Sequence, residues 1–501
     1  MFKNYLKIAL RHIFRHKTFS GVNVFGLTIG IACCLLILMY IQEELSFDRF
    51  HENADRIYRI VPDLQTPKGV RELAQSSPPL AAALKAAFPE VLDAVRLVRT
   101  SGLFAVEDKR FYENRIFYCD ENVFDIFTYP LQKGDPKTAL ATPNCIVLTQ
   151  ELAQKYFGEA DPLNQFVQVN IERSLNVTVV FDPIPRATHL PFDALISHKT
   201  FEAFRPQWVG NWGAFFYQTY MLAPKNFDRS AFENKLPAFV DDAVGEDFSM
   251  SLRVQPLTEV YLYSHRRGEV GVRGNATLIF ALAGIAVLIL AVACINFMNL
   301  ATARSTKRAR EVGMRKVVGA ARRQLAWQFL GESLLMSFLA TVCAAALCQL
   351  LVPFFNRLIG EEIGFSLFEN SQMLLALLGL VLVVGVAAGS YPAFVLSSFR
   401  PVAVLKGVFG TAGSGTKPRH ALVVFQFALS IMLIVGTIVI LRQVDFLRTK
   451  DLGFNKEQLL VIDFKGDNAI LERAGTFKHE FTGHADVRTA TASSSVPGRG
   501  P

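Results

Sequence analysis

The 501-residue chain combines 51% hydrophobic residues with a formal net charge of +8. Its mean hydropathy of +0.28 excludes an ordinary soluble protein, and its 19% of charged residues exclude a chain that lies wholly in lipid. The composition therefore predicts membrane-spanning segments joined to at least one water-exposed domain.

The first 42 residues predict an interfacial helix followed by a membrane anchor. Apolar side chains recur at helical spacing within residues 1–20, at Phe2, Leu6, Ala9, Ile13 and Phe14. This pattern predicts a cytoplasmic amphipathic helix, with a frayed basic leader as the alternative. The apolar run over residues 21–42 is long enough to cross a bilayer, and no small-x-small cleavage site follows it. We therefore interpret it as the first transmembrane helix.

Residues 43–275 predict a large mixed α/β domain. The strand-like "CIVLT" runs into the helical "QELAQKYFG", the strand-like "VTVVF" follows, and Ser76 or Ser77 is expected to cap an earlier helix. The two cysteines of this domain, Cys119 and Cys145, are either a disulfide or two thiols. Its sequence has no HExxH motif and no nucleophile pattern, which favours binding or mechanical transmission over chemistry.

Four further apolar runs predict membrane helices. Residues 276–396 hold three of them, and residues 421–442 hold the fifth span of the chain. A basic segment over residues 304–320 follows the second span, and a linker over residues 397–420 precedes the fifth. Residues 443–501 begin like another extracytoplasmic domain but are too few to close a core. We therefore expect a second unit that is truncated.

The positions of Lys and Arg predict the orientation of the spans. Residues 304–323 carry eight cations against the single acid Glu311, whereas the loop over residues 353–372 carries Arg357 against three acids. Because basic loops stay in the cytoplasm, the amino terminus is predicted to be cytoplasmic and residues 43–275 extracytoplasmic. The predicted fold is a multi-pass α-helical membrane protein with five transmembrane helices and a large extracytoplasmic mixed α/β domain.

The basic segment after the second span has three interpretations. Nucleic-acid binding is disfavoured, because glycines and valines interrupt the cations and no aromatic residue is available for stacking. An electrostatic anchor on lipid needs only cations, whereas this segment also has two glycines, an apolar strip and Glu311, which can pair with Arg315. The strip consists of Val312, Val317 and Val318. We therefore predict a docking element for a partner protein.

The same segment resembles a known family. The sequence "NFMNLATARSTKRAREVGMRKVVGA", residues 296–320, is similar to the signature after the second helix of ABC-transporter permeases of the MacB/FtsX type. Further landmarks of its large two-unit members are resembled by "EELSFDRFHENADRIYRI", "QPLTEVYLYS" and "GSYPAFVLSSFRPVAVLKG". The resemblance implies a bacterial inner-membrane protein with a MacB-like periplasmic core domain over residues 43–275 and an FtsX-like domain over residues 276–396. The chain departs from the expected glycine-containing turn over residues 175–185.

The resemblance also implies a function and a set of partners. The chain would be a permease subunit that relays the motion of a separate ABC ATPase to the extracytoplasmic domain, with no catalytic residue, cofactor or metal of its own. ATP would be used by the partner. The positions that match the ATPase-coupling signature are Arg310, Glu311, Gly313, Arg315, Lys316, Gly319 and Ala320. Membrane lipid, a second or pseudo-symmetric permease, and an extracytoplasmic adaptor or substrate are further expected partners, and nucleic acid is not.

Several functional alternatives stay open from the sequence. Export or extraction of a peptide, antibiotic, lipid or lipoprotein is predicted, and the alternatives are a regulator of a cell-wall hydrolase or a transmembrane signalling receptor. The lookalike phosphate loop "GTAGSGTK" is dismissed, because Thr416 separates its last glycine from its lysine. Gly26 and Gly30 predict close helix packing, and Glu332 either reaches lipid head groups or serves a function.

Overall fold

The computed structural model describes residues 11, 15, 17–170, 173–245, 249–303, 312–360, 364, 371–398, 416–451, 458–463, 470 and 472–493. It divides into two compact units, Met1–Leu429 and Ser430–Pro501. Most of the predicted interfacial helix over residues 1–20 lies outside the described residues. The first unit holds the mixed α/β domain together with the helices that precede and follow it.

The described helices and strands are as follows. The helices are α1 (Lys17–Ser46), α2 (Leu80–Ala87), α3 (Val123–Ile126), α4 (Gln150–Phe157), α5 (His198–Phe204), α6 (Pro206–Val209), α7 (Arg229–Glu233), α8 (Leu236–Val244), α9 (Leu257–Tyr263), α10 (Ala276–Ala303), α11 (Arg322–Ile359), α12 (Ser371–Ser398), α13 (Thr416–Thr449) and α14 (Ala474–Thr482). The strands are β1 (Ile57–Thr66), β2 (Gly69–Glu72), β3 (Asp93–Val106), β4 (Lys109–Cys119), β5 (Leu131–Lys133), β6 (Cys145–Thr149), β7 (Phe166–Val169), β8 (Arg173–Phe181), β9 (Ala194–Ser197), β10 (Gln218–Leu222) and β11 (Met250–Pro256).

Five helices are long and apolar enough to cross a membrane, namely α1, α10, α11, α12 and α13. At a rise of 1.5 Å per residue each exceeds the roughly 30 Å of bilayer hydrocarbon. The prediction of five transmembrane helices is therefore confirmed. The helices extend past the predicted spans because hydrogen bonding continues beyond the apolar run that the sequence makes visible.

Helices α1, α10, α11 and α12 share one apolar core. Leu27 and Ile31 of α1 are buried against Phe297 of α10, Met336 of α11 and Val384 of α12. The predicted packing face of α1 is confirmed as well. A Cβ built on Gly30 would lie 2.7 Å from the Ala293 Cβ, so α1 and α10 approach more closely there than a larger residue would allow.

The extracytoplasmic domain is built on one mixed sheet with the strand order β11-β1-β10-β3-β4-β9-β6-β8-β5, to which β2 and β7 are added at the side. The pairs β4–β9 and β6–β8 are parallel, and the other pairs are antiparallel. Along β6, Val147 joins one core cluster while Ile146 and Leu148 join another. Since successive side chains of a strand point to opposite faces, the sheet buries both faces.

Local predictions within the domain had mixed outcomes. The predicted strand and helix at "CIVLTQELAQKYFG" are β6 and α4, and the Thr149 hydroxyl caps α4 by accepting a hydrogen bond from the Leu152 amide. The predicted serine cap of α2 is wrong, because Pro79 occupies the N-cap. The Ser76 hydroxyl lies 2.7 Å from the Thr219 hydroxyl instead. Ser76 thus makes a tertiary contact with Thr219, which is distant in sequence, and the local sequence does not predict that contact.

The domain is tied to the membrane helices where α1 ends and α9 leads into α10. The rings of Phe47 and Tyr261 stack with centroids 3.5 Å apart, and the Tyr261 hydroxyl donates to the Glu44 carboxylate at 3.1 Å. Ile41 and Ile279 are buried in the same cluster. The two connections between domain and membrane therefore lie side by side.

Candidate functional site

The predicted coupling segment is described from residue 312 onward, where residues 312–317 are helical. Arg310 and Glu311 lie outside the described residues, and so does the predicted pairing of Glu311 with Arg315. The segment lies between α10 and α11 in the chain. The remaining predicted positions form one short helical turn followed by the start of α11.

Two predicted cations of the segment bond to neighbouring helices of the permease itself. The Arg315 Nη1 donates to the Gln328 Oε1 of α11 at 2.6 Å. The Lys316 Nζ donates to the Ser397 carbonyl at the end of α12, also at 2.6 Å. Burial and the nearby charge of Arg322 lower the pKa of Lys316. These contacts anchor the segment to α11 and α12, while a contact of either cation with an ATPase stays a prediction.

The predicted glycines serve the backbone of the segment in two ways. Gly313 is buried within the helical turn. Gly319 has φ +98°, a conformation that favours glycine, and its amide bonds to the Lys316 carbonyl at 3.1 Å. The Ala320 amide bonds to the Arg315 carbonyl at 3.0 Å and closes the turn before α11. Gly319 is therefore needed where the helical turn ends.

Three apolar side chains of the segment point away from the described protein. Met314 is 65% exposed, Val317 64% and Val318 88%, and we refer to these three residues as the apolar docking surface. Val312 does not belong to it, because it is buried with Phe329 and other residues of α11 and α12. The predicted apolar strip is thus divided between an inner anchor and an outer surface. Met314 was not part of the predicted strip, although the spacing 314, 317 and 318 places these three residues on one helical face.

A second polar cluster lies where α1 enters the extracytoplasmic domain, and the sequence analysis assigned it no role. His51 is buried against the rings of Phe127 and Tyr129, and burial lowers the pKa of His51 to about 4. Burial raises the pKa of Asp48, but the ion pair with His189 outweighs it and holds that pKa below its ordinary value. Burial and the contacts between these side chains therefore favour an ionised Asp48 and a neutral His51 at this junction.

The two cysteines of the extracytoplasmic domain do not form a disulfide. Cys119 and Cys145 are both buried free thiols, and burial raises the pKa of the Cys119 thiol. Among the described residues, no group of three or more His, Cys, Asp or Glu side chains could hold a metal ion. The candidate site of this chain is therefore a surface and its anchors, as far as the described residues extend.

Two known protein families match separate parts of this chain. The MacB-like periplasmic core domain family matches residues 20–239, and the FtsX-like permease C-terminal family matches residues 283–401. The chain thus carries a MacB-like periplasmic core domain and an FtsX-like permease domain, and it is similar to the MacB/FtsX-type ABC-transporter permeases. The first match covers most of α1 and most of the mixed α/β domain, and the second covers α11, α12 and most of α10. The chain is therefore an inner-membrane protein with an extracytoplasmic domain.

Individual relatives match shorter stretches. The macrolide export ATP-binding/permease protein MacB of Bdellovibrio bacteriovorus is 35% identical over 132 residues, which are 26% of this chain and 20% of that protein. The protein of the same name from Psychrobacter cryohalolentis is 24% identical over 200 residues, or 38% of this chain and 29% of that protein. The matched segments thus span less than a third of either MacB relative, and both relatives are named for an ATP-binding part as well.

Two solved structures are similar at lower identity. The periplasmic region of MacB from Actinobacillus actinomycetemcomitans is 14% identical with a TM-score of 0.31, covering 40% of this chain and 88% of that one. The extracellular domain of the ABC-type transporter YknZ from Gram-positive bacteria is 11% identical with a TM-score of 0.31, covering 40% of this chain and 99% of that one. The family assignment rests on the two family matches.

Proposed function

We propose that this chain is the permease subunit that receives ATP-driven motion from a separate ABC ATPase through residues 312–320 and passes it to the extracytoplasmic domain. The observation that supports the proposal most is that the side chains of this segment face in two directions. Arg315 and Lys316 bond inward to α11 and α12, whereas the apolar docking surface faces outward. The alternating distribution of basic residues supports a cytoplasmic location of this segment and of the amino terminus.

The anchors make the segment suitable for transmitting force. Hydrogen bonds to a charged donor contribute about 1.5–3 kcal/mol each, roughly twice as much as neutral ones. Since Arg315 bonds to α11 and Lys316 to α12, a push on the segment displaces both helices together. Val312 adds an apolar contact to the same two helices. The segment would therefore move with the bundle instead of sliding over it.

The outward side chains are suited to a protein partner. Fully burying a Val or Met side chain contributes about 1.5–3 kcal/mol, so covering Met314, Val317 and Val318 would supply useful binding energy. We propose that the apolar docking surface binds in an apolar groove on the ATPase. Cations at the rim would add orientation and speed of association more than affinity.

Capture of the ATPase tests this proposal. The full chain would be purified from native membranes in mild detergent with the ABC ATPase that accompanies it. Val318→Asp should reduce the captured ATPase at least about tenfold, since burying a carboxylate in an apolar interface is unfavourable. Val70→Asp is the matched control, because Val70 is also exposed but lies on the β2 hairpin of the extracytoplasmic domain. Equal capture by the two variants would refute docking at this surface. Absence of any captured ATPase with the wild-type chain would favour the signalling alternative.

A second variant separates docking from transmission. Arg315→Gln leaves the apolar docking surface intact but weakens the bond to Gln328 of α11. It should retain the ATPase and lower the stimulation of ATP hydrolysis that the permease provides. A variant that loses capture and stimulation together would show that Arg315 is itself part of the docking surface.

The transported substrate follows from the relatives only as a proposal. The two MacB relatives are named for macrolide export, so export of a macrolide-type antibiotic is the activity that we propose to test first. Cells that carry the chain and its ATPase should retain less macrolide than cells with the Val318→Asp variant. Equal retention would direct the search to peptides, lipids or lipoproteins. A second permease copy and an extracytoplasmic adaptor are proposed partners of the same assembly.

A further inference from the structure

A chain of buried polar side chains begins where α1 ends. Asp48 follows α1 by two residues, and its side chain is fully buried. Its Oδ2 lies 2.8 Å from the Nδ1 of His189, while its Oδ1 accepts hydrogen bonds from the Thr188 hydroxyl and the His189 amide, each at 3.1 Å. Asp48 also adopts φ +60°, an uncommon conformation for a residue with a side chain. The end of α1 is therefore held in one defined position.

The middle of this series of polar side chains lies on β10, the third strand from one edge of the sheet. The His189 Nε2 lies 2.7 Å from the hydroxyl of Tyr220, which is fully buried on β10. Tyr220 is the cross-strand partner of Arg59 on β1, so the side chains of these two residues are direct neighbours. Strand β1 in turn lies between β10 and β11. The polar contacts thus reach two adjacent strands of the sheet, β10 and β1.

The other end lies just before α10. The Arg59 guanidinium is fully buried and bonds Glu269 through two nitrogens, Nη1 to Oε2 at 2.7 Å and Nη2 to Oε1 at 2.8 Å. The Arg59 Nη2 also donates to the Ser264 hydroxyl and to the Gln255 Oε1, each at 2.8 Å. Glu269 belongs to the segment that joins α9 to α10. The five residues Asp48, His189, Tyr220, Arg59 and Glu269, which we name the tether network, therefore connect the ends of both membrane tethers.

Buried ionic contacts resist sliding in a way that apolar contacts do not. Moving α1 or α10 relative to the sheet would separate Asp48 from His189 or Arg59 from Glu269 and leave a buried charge without its partner. An apolar contact, by contrast, exchanges one neighbour for another at little cost. The tether network should therefore shift as one body when either tether moves.

We propose that the tether network passes displacement of α1 and α10 to strands β1 and β10, so that its members are positioning residues for coupling. This inference rests on the proposed function, because it presumes that nucleotide binding by the ATPase moves these helices. It adds to the proposed function a set of residues through which movement of α1 and α10 would reach the sheet of the extracytoplasmic domain. The stack of Phe47 on Tyr261 forms a parallel apolar contact nearer to the membrane helices.

The test removes one hydroxyl from the middle of the network. Tyr220→Phe keeps the ring and its packing but breaks the contact with His189. Tyr217→Phe is the matched control, since Tyr217 is also fully buried in the same domain and bonds His198 Nε2 at 2.9 Å, outside the tether network. The full chain with its ATPase would be used, and hydrogen–deuterium exchange of β1 and β10 would be compared with and without a non-hydrolysable ATP analogue.

The expected result is a selective loss of the nucleotide response. The wild-type chain and Tyr217→Phe should show the same nucleotide-dependent change in exchange, whereas Tyr220→Phe should reduce that change by at least about threefold. ATPase capture and basal hydrolysis should be unchanged in all three. A response of Tyr220→Phe equal to that of Tyr217→Phe overturns the inference, and so does a wild-type chain with captured ATPase but no response.

Two features keep the outcome decisive. Loss of ATPase capture in the wild-type chain would contradict the proposed function, whereas intact capture with an unaffected Tyr220→Phe contradicts only the tether network. If Tyr220→Phe is not monodisperse, Glu269→Gln takes its place, because it keeps the volume and a hydrogen-bonding group but removes the charge that Arg59 binds. The nucleotide-dependent change in hydrogen–deuterium exchange of Glu269→Gln is then compared with that of Tyr217→Phe, and equal changes overturn the inference.

Discussion

Acid should destabilise the extracytoplasmic domain through His51. This side chain is buried, and its Nδ1 lies 3.1 Å from the Thr128 amide nitrogen and 3.2 Å from the Thr128 carbonyl oxygen. Burial lowers the pKa of His51 from 6.5 to about 4, although the charge of Asp48 and the Thr128 carbonyl favour the protonated ring and the charge of His189 opposes it. His51 is therefore neutral in the folded domain at neutral pH.

The magnitude follows from the difference between the folded and unfolded pKa of His51. Above pH 6.5 the ring is neutral in both states, and its contribution to stability does not depend on pH. Between pH 6.5 and about 4 the unfolded chain binds a proton that the folded domain does not, so the free energy of unfolding falls as pH falls. At about 1.4 kcal/mol per pKa unit, the total loss is about 3 kcal/mol. Below about pH 4 both states are protonated and the loss stops growing.

Urea unfolding of the domain in the detergent-solubilised full chain measures this loss. Trp208 and Trp212 report on the domain by fluorescence, and His51→Phe removes the titrating group while it preserves a ring among Phe127 and Tyr129. The variant should flatten the pH dependence between 6.5 and 4 by about 3 kcal/mol. His265→Phe, at an exposed histidine of the same domain, should leave that dependence unchanged. Parallel curves for the wild-type chain and His51→Phe would refute the assignment.

Two further predictions concern helix packing and the buried thiols. Gly30→Ala should lower the free energy of unfolding by about 1–3 kcal/mol, because the new Cβ would lie 2.7 Å from the Ala293 Cβ. Gly21→Ala on the same helix meets no described atom within 4 Å, so equal thermal unfolding midpoints for both variants would contradict this reasoning. Cys119 should resist iodoacetamide in the native chain, because it is buried and burial raises the pKa of its thiol. Mass spectrometry should find the label there only after unfolding, and rapid native labelling would exclude a buried thiol.

The membrane helices could be predicted because their requirement is local. A span needs enough consecutive apolar residues to match the hydrocarbon thickness, and that length is visible in the sequence. The strand order of the domain is not local. Strand β1 pairs with β10 and β11, whose residues lie about 160 or more positions later, and no pattern within β1 specifies either partner. The misassigned cap at Ser76 has the same origin, because Thr219 competes for its hydroxyl.

The sequence predicted where the candidate site lies in the chain, but not which of its side chains bond to neighbouring helices and which face outward. The resemblance of residues 296–320 predicted where the coupling segment lies, and a contact of Arg315 and Lys316 with an ATPase stays a prediction. Their bonds to Gln328 and Ser397 depend on how α11 and α12 pack against the segment. Asp48 and His51 lie within the family landmark "EELSFDRFHENADRIYRI". The residues that bond to Asp48, however, lie about 140 or more positions later in the sequence.

Helix α10 connects the two sites in one mechanical element. Glu269 lies in the segment before Ala276, and the coupling segment follows Ala303, so the two sites stand at opposite ends of α10. Its 28 residues span roughly 42 Å, which is enough to cross the hydrocarbon core. Because Gly30 allows α1 to pack closely on α10 at Ala293, we expect a displacement of α10 to move α1 and Asp48 as well. A displacement of both helices would then reach the tether network, and its buried contacts, Asp48 with His189 and Arg59 with Glu269, would move β1 and β10 with them.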